Sequence, residues 1–85
     1  MRKNAREVCQ SLRAGNFIFS VHAASRSEER LISWEDIKQI ATSAHTVASR
    51  EDGSFKVVGF DLEDLETIVF CRFLDRPRVL IITVI

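Results

Sequence analysis

Apolar positions recur along this chain with two different periods, and the change of period divides it into a helical and a strand-forming part. Ala5, Val8, Cys9 and Leu12 fall at the i, i+3, i+4, i+7 spacing of an amphipathic helix, and Gly15 followed by Asn16 stops it. The spacing predicts a first helix over residues 2–14. Asn16-Phe17-Ile18-Phe19 is too short and too apolar to extend it, and reads as a short strand or an extended lead-in that drops two aromatic rings into the core. Ser20 then caps a second helix over Val21 to Arg30. Ser33-Trp34-Glu35-Asp36 has the form of a capping box with Asp in the Glu or Gln position, and Trp34, Ile37, Ile40 and Ala41 supply the buried stripe of a third helix.

After Ala44 the period falls from 3.6 to 2. Residues 46–49 and 55–60 flank the turn-forming Glu51-Asp52-Gly53 and predict a hairpin. Residues 66–74 and 79–85 are strongly β-prone and flank Asp75-Arg76-Pro77-Arg78, whose proline suits a tight connection, so they predict a second hairpin. The last run is apolar on both faces, as expected of a central strand or one covered by helices, and the N-terminal helices are the available cover. The expected fold class is α+β: two to three N-terminal helices packed on a small, mostly antiparallel sheet of about four strands, in one domain spanning residues 1–85.

With 46% apolar and 28% charged residues the chain is an ordinary globular sequence, able to build one modest core. Two cysteines, Cys9 and Cys71, are too few for a disulfide framework and lack metal-ligand spacing; they read as reduced core residues, which favours the cytoplasm. No apolar run reaches the ~20 residues needed to cross a bilayer, and Met1-Arg2-Lys3-Asn4-Ala5-Arg6-Glu7 leads into a helix rather than a signal peptide, so no membrane partner is expected. A net charge of zero argues against tight non-specific nucleic-acid binding. The charge is nonetheless uneven: residues 1–50 hold eight Lys and Arg against five acids, and residues 51–85 hold four against seven.

The constellation with a plausible chemistry lies in the second helix. His22, Arg26 and Arg30 are spaced by four residues and form a slowly drifting row ~12 Å long on one helix face. A histidine moves protons near neutral pH, and a guanidinium offers a bidentate fork to phosphate or carboxylate. In one reading this is a metal-independent endoribonuclease: His22 takes the proton of an RNA 2'-hydroxyl, the oxygen attacks the adjacent phosphorus, and Arg26 and Arg30 stabilise the charge that develops. In the other the row is architectural, His22 donating across the helix-sheet interface and the arginines pairing with Asp61, Asp64 or Glu66 of the acidic half.

The string His22-Ala23, Arg26, Arg30 and Ile32, followed by a capped helix, a hairpin, Gly59 and a final apolar strand ending Ile82-Thr83-Val84, resembles a small bacterial family, domain-of-unknown-function family 4258. The likeness runs from about Phe17 to Ile85. That family in turn is similar to RelE-like and MqsR-like toxins, small ribonucleases that need no metal or cofactor and carry helices on an antiparallel sheet. The resemblance implies a toxin-like, mRNA interferase-like domain with His22, Arg26 and Arg30 as catalytic residues. RNA and an antitoxin-like protein would be its partners. Lys56 and Arg72 are the chief cations of the strand segments and candidates to bind substrate, joined by the turn pair Arg76 and Arg78. The chain has no tyrosine, whereas several RelE-like nucleases use one. The alternative is a small non-catalytic interaction module, and the apolar last strand leaves edge-to-edge pairing into a homodimer open to it.

Other residues read as structural. His45 follows a helix end and suits a capping or surface position, with proton transfer as its functional alternative. Trp34 suits a core anchor and Cys71 inert packing. Glu28 and Glu29 point ~100° apart on a helix and suit solvated surface. The carboxylates and histidines nowhere gather at metal-ligand spacing.

Overall fold

The computed structural model describes residues 3–85. Its elements run α1 (Lys3–Arg13), β1 (Phe17–Phe19), α2 (Val21–Arg30), α3 (Trp34–Thr42), β2 (Thr46–Ser49), β3 (Phe55–Phe60), β4 (Glu66–Asp75) and β5 (Arg78–Val84). The expected start of the first helix at residue 2 lies outside the described residues. Local chemistry explains the helix boundaries. The Ser20 side chain accepts the Ala23 N–H at 3.0 Å and starts α2. At its other end the N–H groups of Leu31 and Ile32 reach back to the carbonyls of Glu28 and Ser27, a Schellman closure with Leu31 at φ 56° where glycine is usual. The capping box of α3 is complete, with Ser33 and Asp36 satisfying each other's backbone N–H groups.

The strands form one five-stranded sheet in the order β1-β5-β4-β3-β2. Both hairpins form as expected. β3 pairs antiparallel with β2 and β4, and β4 with β5, across the Arg76-Pro77 turn and its cis peptide bond. The count of about four strands is corrected to five by β1, which pairs parallel with β5 so that Phe17, Ile18 and Phe19 stand beside Val79, Leu80 and Ile81. Three residues carry too little periodicity to declare a strand, and the partner is more than 60 positions away.

The core lies on one face of the sheet. Val8 and Leu12 of α1, Ile37 and Ile40 of α3 and Ala23 of α2 meet Val57, Val69, Cys71, Val79, Ile81 and Val84 there. Alternation along each strand sends the intervening side chains to the opposite face, which none of the helices of the described residues covers.

Candidate functional site

Helix α2 is tied to the sheet at its N-terminal end, where Ser20 Oγ donates to the Ile82 carbonyl at 2.9 Å and Ser20 N to that of Ile81 at 2.9 Å. Ala23 and Ser27 are buried. With those two inward, the helical repeat turns His22 outward, leaves Arg26 at the border and carries Arg30 to the solvated last turn. The burial matches, with His22 and Arg30 exposed and Arg26 half-buried. The Arg26 guanidinium reaches Glu29 Oε2 of its own helix at 3.5 Å, a loose exposed pair that contributes little. Arg30 also sits against the C-terminal carbonyls, a favourable place for a cation.

The ion pairs expected between the row and the acidic half do not form. Asp61 is buried and its Oδ1 accepts the N–H groups of Glu63 and Leu65, shaping the loop before β4. Asp64 sits in that loop at φ 63°. Glu66 takes His45 Nε2 at 2.9 Å, and Asp75 takes Arg78. Among the described residues no carboxylate of the acidic half lies in salt-bridge reach of Arg26 or Arg30. Asp36, Asp52 and Asp61 instead receive backbone N–H groups. Asp36 is the clearest case: burial opposes its ionisation, but hydrogen bonds from Ser33 N, Leu62 N and Ser33 Oγ outweigh that and hold its carboxyl below the usual carboxylate range.

Lys56 and Arg72 lie elsewhere. Lys56 alternates with buried Phe55 and Val57, and Arg72 follows buried Cys71, so both project from the uncovered face of the sheet. Lys56 stands opposite Phe70, and Arg72 opposite Leu80. Arg50 joins them, its guanidinium 4.7 Å from the Phe70 ring centroid. Nothing in the local sequence marks Arg50; the β2–β3 register puts it there. The α2 row and the sheet cations therefore occupy different layers.

A cleft of about 340 Å³ opens between α1 and the β4–β5 turn, lined by Glu7, Gln10, Ser11, Asn16, Phe73 and Arg76 among others. No member of the row lines it. Its cation is engaged, since Arg76 pairs with Glu7, donates to Asn4 Oδ1 at 3.1 Å and lies 4.3 Å from the Phe73 ring centroid. Trp34 is a partial core anchor: its ring stacks on Phe17 at 3.9 Å while 40% of the residue stays exposed. His45 bridges Thr46 and Glu66 at the start of β2. Cys71 is fully buried. Among the described residues no group of three His, Cys, Asp or Glu side chains could hold a metal ion, and no helix is long and apolar enough to cross a membrane.

No protein-family model, curated protein or solved structure matches the chain.

Proposed function

We propose that this protein is a toxin-like RNA-binding domain that grips a phosphate backbone along α2, with Arg26 and Arg30 as the phosphate contacts and His22 beside them. The observation that supports this reading is that His22 and Arg30 are exposed and Arg26 half-exposed, with no carboxylate of the acidic half paired to them: Asp61 holds loop N–H groups, Glu66 holds His45 and Asp75 holds Arg78, while Arg26 has only its loose pair with Glu29. Arg26 and Arg30 are rooted ~6 Å apart along the helix axis, a spacing from which their side chains can reach neighbouring phosphates of a single strand. The row stands on a convex helix face, outside the α1 cleft. Binding is therefore better supported than cleavage, which needs the scissile phosphate held on several sides.

The test is fluorescence anisotropy of a labelled single-stranded RNA across a salt series, with the wild type and an Arg26→Ala/Arg30→Ala double variant. Loss of two phosphate contacts should lower the slope of log K against log salt by roughly 1.4. An identical slope in both proteins, or no binding by the wild type, would sink the reading. Total RNA incubated in EDTA with wild type and His22→Ala addresses cleavage separately: cutting by the wild type alone would make His22 the base.

A further inference from the structure

We propose that the uncovered face of the sheet is the docking site for a protein partner that presents an apolar segment bearing carboxylates. An antiparallel sheet with one wet face normally alternates apolar residues inward with polar residues outward. Here β4 and β5 break that rule. Their inward side chains, Val69, Cys71, Val79 and Ile81, fill the core, yet Ile68, Phe70 and Leu80 on the other face are also apolar and only half-buried, Phe70 partly under the Arg50 guanidinium. Cross-strand register makes them continuous: Ile18 lies beside Leu80, and Ile68 beside Val58. The three helices of the described residues put their buried side chains into the core on the opposite face, so this face keeps a partly exposed apolar surface, with Ile18 exposed, Ile68, Phe70 and Leu80 half-exposed and Val58 buried among them. Contiguous apolar surface of this kind marks an interaction site.

Charge selects the occupant. Arg50, Lys56 and Arg72 project from the same face, while the carboxylate at its margin, Glu66, is already held by His45. A second copy of this chain, docked face to face, would set these cations near their own kind as the surfaces lost water. An acidic segment would pair with them instead, and complementary charge of this sort governs partner choice and on-rate. RNA fits this face less well than a protein does. Sheet platforms for single strands stack bases on exposed aromatic rings, whereas this face is mainly aliphatic and its central ring, Phe70, is already covered by Arg50. The site is distinct from the α2 row, so failure here leaves the RNA-binding reading untouched.

The experiment is methyl NMR of the full chain titrated with three probes. These are a set of 12-residue peptides alternating Glu or Asp with Leu, Ile or Val, the same set with Lys replacing the acids, and oligouridine RNA. Saturable shifts at the methyls of Ile18, Val58, Ile68 and Leu80 are expected with the acidic set alone. A Lys56→Glu/Arg72→Glu variant should weaken that binding about tenfold or more, losing charge pairs that docking desolvates, and a Lys56→Arg/Arg72→Lys variant should retain it; circular dichroism establishes that both variants fold. The proposal is overturned if no acidic peptide saturates these methyls, if the lysine peptides or oligouridine shift them equally, or if sedimentation shows a dimer that already protects them.

Discussion

Gly59 lies so close to Ile40 that a Cβ built on the glycine would stand 2.1 Å from the Ile40 carbonyl oxygen. The two residues are the point where α3 rests on β3, and Ser43, one turn on, fastens the contact by accepting the Phe60 N–H at 2.8 Å. The obstacle is backbone rather than a flexible side chain, so it cannot swing away. Gly59→Ala should therefore push α3 off the sheet at a cost of about 3 kcal/mol, which in a domain of this size lowers Tm by roughly 12 to 24 °C. Thermal unfolding followed by circular dichroism measures this; an unchanged Tm would mean that α3 does not sit where the structure puts it.

Asp36 joins two distant parts of the chain, capping α3 through Ser33 and holding the Leu62 N–H at 2.9 Å. Removing it in Asp36→Ala leaves those buried donors unpaired and should cost about 2 to 3 kcal/mol. The pH dependence follows from the same contacts. The folded carboxyl ionises below its ordinary value, which is ~3.9 in an unfolded chain. Its stabilising contribution is thus fully present above that value and is lost as pH falls through the lower, folded one. Urea midpoints measured from pH 6 downward should fall less steeply for Asp36→Asn than for the wild type, and parallel curves would refute the assignment.

Burial pushes the Cys71 thiol up to about 12, with Cys9 adding to the effect, and burial also raises Cys9 itself against the opposing charge of Arg13. Neither should form thiolate at neutral pH. A disulfide-exchange reagent at pH 8 is expected to leave both thiols intact in the native protein and to titrate both in guanidinium chloride. Rapid labelling of the native protein would show that the core around Cys9 and Cys71 opens.

The α2 row carries no partner from the acidic half, so its removal should be nearly silent for folding. His22→Ala, Arg26→Ala and Arg30→Ala should each change unfolding free energy by no more than about 0.5 kcal/mol. A loss of 2 kcal/mol in any of them would return that residue to an architectural role and weaken the case for RNA binding.

Residues with local partners were legible early. Ser20 with Ala23, and Ser33 with Asp36, are contacts three positions apart, so the helix starts could be read from the residues alone. The hairpins followed from alternation around turn residues. The candidate site divided along the same line. Spacing by four placed His22, Arg26 and Arg30 on one face of α2, but their surroundings depended on carboxylates 31 or more positions away, of which Asp61 took nearby backbone donors and Glu66 took His45.

What the amino-acid order determined by itself is the three helices, the serine N-caps of α2 and α3, and the two hairpins, because capping and periodicity operate within a few residues of chain. Tertiary structure alone decided the parallel pairing of β1 with β5, the need for glycine at position 59, and the meeting of Arg50, Lys56 and Arg72 on one bare sheet face. The apolar character of β5 on both sides was visible in its residues. That helices cover just one of those sides was not, because a strand's composition records how much apolar surface it offers, and only packing reveals how much of it the chain itself can bury.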